Sequence, residues 1–316
     1  MNYRDKALRW VFLIPPIFRD ALVFASLLTM LSTGLTLTYM TTKVPNFAHG
    51  NFATVGAYLT LALTKVLNLN PYLTIIPSLV LGGLTALILY VLILKPLLDR
   101  GANYIVLMIA TIAYDMILYS LINIFADFLS RTYKVTTRLF ILKSFDFKLL
   151  GQPGLFITAP LIAILIVLAL YVLLNKTKFG IGMRAAIENP SLASVVGINV
   201  NLTYAISWFI SGGLAGIAGA LMPIWLMCNP DVGMRLIVSI FAASIVGGLS
   251  NIYGAFAGGI LIGLAEVLGT GYLSLEIGTW VIPYRPIIPL LIMAVTLLFV
   301  PRGLTGINWR KILRRS

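Results

Sequence analysis

Asp115 and Glu266 are the residues of this sequence with the most chemistry to offer, because each lies inside a long apolar run. An ionised side chain at that depth in a bilayer costs about 2.5–3.5 kcal/mol on insertion scales, so it persists only where something compensates it. Thr111, Asp115, Tyr119 and Asn123 recur at four-residue intervals and form one polar stripe that drifts slowly around a helix. That stripe has to face a bundle interior or water. It could line a translocation pathway in which Asp115 meets a substrate ammonium, or it could be an interhelical hydrogen-bond seam. Intramembrane acids are functional by default, which favours the pathway. Glu266 shares a face with Gly259 and Gly263, small residues that let a second backbone come close. Its satisfaction by a neighbouring helix is at least as well supported as substrate contact.

His49 follows Asn46, whose side chain can cap the next helix. Its functional reading is a pathway or gating residue. The plainer reading, favoured here, is a hydrogen bond to a free backbone group where a broken helix begins, since half-helix ends in transporters need such partners. The single His49 excludes paired-histidine metal sites, and the single Cys228 excludes an intramolecular disulfide or a cysteine-based zinc cluster. No Gly is followed by Lys and Ser or Thr, so no Walker A loop is present and the chain does not hydrolyse ATP by itself. No metal and no cofactor is called for.

The elements that position these residues follow from composition. The chain has 316 residues, of which 59% are hydrophobic and only 10% charged, with a mean hydropathy of +0.98. A soluble domain carries about 25% charged residues, so this is a polytopic all-α membrane protein. The formal net charge of +13 does not mark a nucleic-acid binder. The cations fall between apolar runs and at the ends, as orientation signals do. Arg4, Lys6, Arg9 and Arg19 precede the first run; Arg302, Arg310, Lys311, Arg314 and Arg315 follow the last. Pro15-Pro16 and the lack of a small-x-small site argue against a cleaved signal peptide.

A span needs about 20 apolar residues. Candidate windows are 21–40, 52–67, 72–94, 104–126, 155–174, 202–227, 235–249, 255–272 and 283–300, within an expected eight to ten spans. Residues 1–20 are expected to be a cytoplasmic or amphipathic segment, 21–300 the transmembrane domain and 301–316 a basic cytoplasmic tail. An odd span count conflicts with two cytoplasmic ends. Either 52–67 is a half-helix that enters and leaves on one face, or residues 7–18 make an extra pass kinked at Pro15-Pro16. Both repairs leave 175–201 cytoplasmic. The loop 127–153, placed outside, carries Arg131, Lys134, Arg138, Lys143 and Lys148 against Asp127 and Asp146, which topology alone does not explain.

The loop 175–201 reads as two short helices, Met183 to Glu188 and Ser191 to Val196, separated by Asn189-Pro190 and ended by Gly197. It could offer a shaped surface to a soluble partner or be an ordinary connector. Gly180-Ile-Gly182 lacks the βαβ unit a dinucleotide site requires. Gly212, Gly216 and Ala220, and Gly254 with Gly258, repeat a small-x-x-x-small pattern that argues for tight helix packing.

Arg184-Ala185-Ala186 with Glu188-Asn189-Pro190, Ala193 and Gly197-Ile198-Asn199 resembles the coupling loop of the permease subunits of branched-chain amino-acid ABC importers. Asn46-Phe47-Ala48-His49-Gly50 with Gly56-Ala57-Tyr58 resembles another signature of that family. So does Val246-Gly247-Gly248-Leu249-Ser250-Asn251-Ile252-Tyr253-Gly254-Ala255 with Gly263-Leu264-Ala265-Glu266, although Tyr253 stands where proline is usual and Ser250-Asn251 where Gly-Ser is usual. The likeness covers roughly 20–308 and is nearest the H-type of the two paired permeases. It implies alternating access in a multi-pass cell-membrane protein. The implied partners are two cytoplasmic ATPase subunits, a homologous second permease and an extracytoplasmic binding protein, with no nucleic acid. Arg184, Glu188, Asn189, Pro190 and Gly197 would couple to the ATPase, and the substrate would be a branched-chain or other apolar amino acid. Urea and short amides are also carried in the family. A secondary transporter using Asp115 or Glu266 as a proton relay is the rival of another class. A sugar-type permease fits Asn46–Gly50 poorly, and one His and one Cys leave an enzyme few constellations.

Overall fold

The computed structural model describes residues 15–149 and 151–306. The cations at 4, 6, 9 and 310–315 and most of the possible pass at 7–18 lie outside the described residues. Helices answer all nine windows. Seven are long and apolar enough to cross a membrane: α1 (Pro16–Thr42), α3 (Pro71–Asp99), α4 (Tyr104–Tyr133), α5 (Gly154–Lys176), α8 (Val200–Trp225), α10 (Ile252–Glu276) and α11, which begins at Ile287 and continues through a turn to Gly306. Two are shorter, α2 (His49–Val66) and α9 (Val232–Gly247). The chain is a multi-pass helical membrane protein.

The centre is built from α1 and α8, which pack on each other and on most of the rest: α1 on α10, α5 and α9, and α8 on α3 and α2. Buried α1 carries many hydroxyl residues, which would be costly without partners. All of these buried hydroxyls but that of Thr36, whose Oγ1 has no partner among the described residues, bond to carbonyls within the helix. Thr29 Oγ1 donates to Ala25 O at 2.6 Å and Thr33 Oγ1 to Thr29 O at 2.6 Å. Small residues bring the backbones together. A Cβ placed on Gly263 would lie 2.4 Å from Ala25 Cα, and one on Gly216 2.0 Å from Ser78 O. Gly212 and Gly216 thus form a seam between α8 and α3, Gly254 and Gly258 one between α10 and α9, and Gly259 and Gly263 one between α10 and α1.

Between α1 and α2, residues 43–48 fold back into the bundle, where Val44, Asn46 and Ala48 are fully buried. α2 therefore starts beside Leu31, about 22 Å along α1 at ~1.5 Å per residue. α9 also starts inside, where Gly233 N donates to Thr54 Oγ1 at 3.0 Å. The broken-helix expectation thus has two instances, α2 and the break that precedes α9.

The two ends of the bundle are distinct. At one end Arg19 donates to Gln152 Oε1 at 2.7 Å and Trp225 Nε1 to Asp20 at 2.9 Å. A short antiparallel pair, β1 (Lys148–Leu149) and β2 (Gln152–Pro153), lies there too. At the other end are α6 (Lys178–Glu188) and α7 (Pro190–Val195), beside Met40 at the far end of α1. Pro16 to Asp20 therefore lie at the end of the bundle opposite the loop 175–201. α1 is one unbroken helix from Pro16, a residue whose missing N–H suits a helix start.

Candidate functional site

The stripe on α4 has two different halves. Thr111 is buried, and its hydroxyl donates to Pro45 O at 3.2 Å and accepts from Phe47 N at 3.3 Å, so it holds the inserted 43–48 segment. Asp115 is half-buried. Its Oδ1 accepts from Asn51 Nδ2 at 2.7 Å, and among the described residues no cation pairs with it. Asn51 is fully buried and its Oδ1 has no hydrogen-bond partner. Tyr119 and Asn123 continue the stripe, half-buried, and Asn123 Nδ2 donates to Tyr119 O at 2.8 Å. Arg138 then bonds both Asn123 Oδ1 and Asp127, the latter at 2.7 Å. Two charges of the 127–153 region are therefore a mutual pair. Asp127 and Arg131 lie within the last turns of α4, which outruns the predicted window because polar residues can extend a helix beyond the hydrocarbon.

Asn46 forms an Asx turn just ahead of α2: its Oδ1 accepts from Ala48 N at 3.1 Å. The helix itself starts without a side-chain cap. His49 is fully buried and its Nε2 lies 2.9 Å from Leu31 O. A carbonyl only accepts, so that nitrogen carries the proton. The ring fills the space that Gly34 leaves open, where a Cβ would come within 3.0 Å of it.

Glu266 sits in a different environment. It is 3% exposed, and its Oε1 accepts from Arg285 Nε at 2.6 Å. The guanidinium also lies 4.1 Å over the Phe24 ring. Arg285 follows the 3-10 turn Thr279–Tyr284, so the connector between α10 and α11 folds back to supply the cation. The sequence reading weighs a neighbouring helix against substrate contact for Glu266 and passes over Arg285.

In the loop between α5 and α8, α6 starts at Lys178, five residues before the predicted Met183, because Thr177 caps it by accepting from Gly180 N at 3.2 Å. Asn189 then caps α7, accepting from Leu192 N at 3.0 Å, with Pro190 in the first turn. Gly197 takes φ 86° and Ile198 N returns to Ala193 O at 3.0 Å, a left-handed stop that glycine allows. Arg184 bonds Leu174 O, and Asn175 Nδ2 bonds the Tyr253 hydroxyl, tying this loop to the start of α10. Tyr204 Oη donates to Ala186 O at 3.0 Å. Glu188, Asn189, Pro190 and Gly197 are exposed, beside Leu192, Val195 and Val196, whose apolar side chains are 61%, 81% and 68% exposed. Uncovered apolar surface of this kind marks a contact with a protein or a membrane.

Residues 17–301 match the family model described as the permease component of the branched-chain amino acid transport system. The chain belongs to this permease family. It is 46% identical over 298 residues to the probable branched-chain amino acid transport permease protein LivH of Methanocaldococcus jannaschii, covering 94% of each chain. It is 25% identical over 303 residues to the high-affinity branched-chain amino acid transport system permease protein BraD of Pseudomonas aeruginosa, covering 91% of this chain and 94% of that one. Its fold is similar to that in the structure of PsaBC from Streptococcus pneumoniae in complex with Fab, with a TM-score of 0.55, 14% identity, and 94% and 97% of the two chains covered.

Membership in the permease family makes the chain a transport subunit of an ABC system, one that works with an ATPase and further subunits. Besides Arg285, sequence reasoning passes over Asn51. Its one available signal is an amide four residues before Val55 in an otherwise apolar run, which marks a polar position without naming its partner.

Proposed function

We propose that this chain forms the membrane pathway for branched-chain or other apolar amino acids in an ATP-driven importer. Two cytoplasmic ATPases, a homologous second permease and an extracytoplasmic binding protein complete the machine. The carrying observation is the half-open polar stripe of α4, from Asp115 through Tyr119 and Asn123 to the Asp127–Arg138 pair. The exposed faces of α5 and α11 are apolar, with Leu161, Leu165, Leu168 and Val172 on one and Leu291, Val295 and Leu298 on the other, and α4 itself exposes Met116, Leu121 and Ile124 beside the stripe. Lipid suits the second kind of face. The first kind needs water or a protein partner. Asn46, His49 and Thr111 hold the broken start of α2 against this stripe, and Glu266 braces α10 from behind.

The exposed turn at Glu188 to Pro190, with Gly197 and the apolar side of α7, is the surface that docks on an ATPase; Arg184 anchors it to α5. Closure of the ATPases then moves α6 and α7, and through Asn175 and Tyr253 the start of α10, giving alternating access. The test is leucine uptake into proteoliposomes containing the complete transporter and its binding protein. ATP-dependent uptake is expected, with little uptake of urea or acetamide. Glu188→Lys should abolish uptake while leaving the amount of folded permease in the membrane unchanged. Gradient-driven uptake by this chain alone, without ATPase, would overturn the proposal.

A further inference from the structure

α2 and α4 run in parallel with a constant register: Phe47 meets Thr111, and Asn51 meets Asp115, each 64 residues apart. One to two turns further along, a cavity of 240 Å³ separates Val55 and Leu59 of α2 from Leu118 and Ile122 of α4, and Leu81 and Thr85 of α3 form a third side. These positions fall around the middle of α3 and α4 and so at membrane depth. Leu118 and Ile122 are buried, whereas Leu121 and Phe125, which also line the cavity, are exposed. At ~100° per residue, Leu121 and Phe125 lie on the flank of α4 opposite Tyr119 and Asn123. Leu84 and Ile88 share the cavity side of α3 with Leu81, at i+3 and i+7, and are exposed as well. The mouth therefore opens between α3 and α4 onto apolar surface, away from the polar stripe.

The walls decide what can fill this space. Tyr58 Oη, at one end, donates to Thr137 O at 2.7 Å, and Thr85 Oγ1 donates to Gly82 O at 2.8 Å. The carbonyl of Thr85 already accepts from Tyr114 Oη at 2.9 Å. Both hydroxyls of the lining are thus spent inside the protein, and its other side chains are aliphatic or aromatic. A polar guest would leave its own groups unpartnered, at a cost. Water fails for the same reason, since a buried water takes about two to four polar partners. An apolar cavity of about 150 Å³ stays dry and admits benzene; this one is larger and opens on the hydrocarbon of the bilayer. We propose that it is a binding site for a phospholipid acyl chain, which enters between α3 and α4 and lies behind α4. The chain supplies the contacts that an empty space denies the side chains around it, and it sets the distance of α4 from α2 and α3. The stripe rides on the same helix, so the bilayer acts on it from the opposite flank. The site stands whether or not the stripe lines the pathway.

The test uses the complete transporter in phosphatidylcholine nanodiscs doped with a phosphatidylcholine that carries a diazirine midway along one acyl chain. After irradiation, the labelled positions are read by peptide mass spectrometry. Label is expected on Leu118 or Ile122, buried side chains that only a chain inside the cavity reaches, as well as on exposed Leu84 and Leu121. Leu59→Phe and Leu118→Trp fill the cavity in two independent ways, and each should lose the label on Ile122 while keeping that on Leu84. Label confined to exposed positions in the wild-type complex overturns the site; a helix of the second permease seated in the mouth would give that result by shutting the probe out. Label on Ile122 that persists in both variants overturns it as well. Suppression of the wild-type label by excess leucine would mean that the cavity serves a transported solute, and this too overturns the proposal.

Discussion

Glu266 and Asp115 are both acids within membrane-spanning helices, yet the fold treats them differently. Glu266 is buried and receives a guanidinium at 2.6 Å from Arg285, which in turn lies over Phe24. Asp115 is half-open and receives only an amide. An acid whose charge is balanced inside the protein holds elements together: here α10, its connector and α1. An acid balanced only in part is left for something that arrives from outside the chain. The difference teaches that depth in the membrane identifies a costly residue, and the presence of a fixed cation decides whether the cost is met by structure.

Breaking the balanced acid gives the largest effect. Arg285→Ala leaves Glu266 buried and unpaired, a change that costs about 3–5 kcal/mol for buried pairs. It should lower the thermal stability of the detergent-solubilised permease sharply. Glu266→Leu combined with Arg285→Met should recover most of that loss, and failure to recover would mean that the pair does more than brace the helices. Gly263→Val attacks the same region through packing. Its new side chain meets Ala25 of α1 at a seam with no spare space, so a loss of about 1–3 kcal/mol is expected by overpacking, read in the same melting experiment. Asp115→Asn sharpens the contrast: its amide oxygen can still accept from Asn51 Nδ2, so stability should change far less than in Arg285→Ala, while ATP-driven leucine uptake falls strongly. A destabilised Asp115→Asn with normal uptake would reverse the assignment of the two acids. The smallest effect belongs to Arg138→Ala. Its partner Asp127 is about as exposed as itself, and exposed pairs contribute about 0–1 kcal/mol, so only a slight shift in melting is expected.

Much of this was legible in the residues because it depends on near neighbours. All nine windows became helices, since an apolar stretch and its period are local properties. The stripe Thr111, Asp115, Tyr119 and Asn123 was visible because four-residue spacing places side chains on one face whatever surrounds the helix. Asn189, Pro190 and Gly197 announced the turn and stop of α7 by their backbone preferences. Helix limits were less legible: α6 began five residues early because Thr177 capped it, and the apolar windows could not register a polar extension such as the last turns of α4.

Partners were the illegible part. Arg285 reads in the sequence as one more cation between spans, and Asn51 as a polar interruption of a short run. Each gained its meaning only when a connector folded back onto α10 or when α2 was set parallel to α4. Cys228 behaves similarly. Its backbone pairs with Phe140 through bonds of 3.0 and 2.8 Å, and burial pushes its thiol well above the ordinary thiol range, which makes it an inert packing residue. By itself the sequence determined a basic, multi-pass helical permease, because hydropathy, helical period and turn chemistry act over a few residues. Only the tertiary structure decided which of its two intramembrane acids is neutralised and which stays open, because a charge is compensated across space by groups whose separation in the chain follows no local rule.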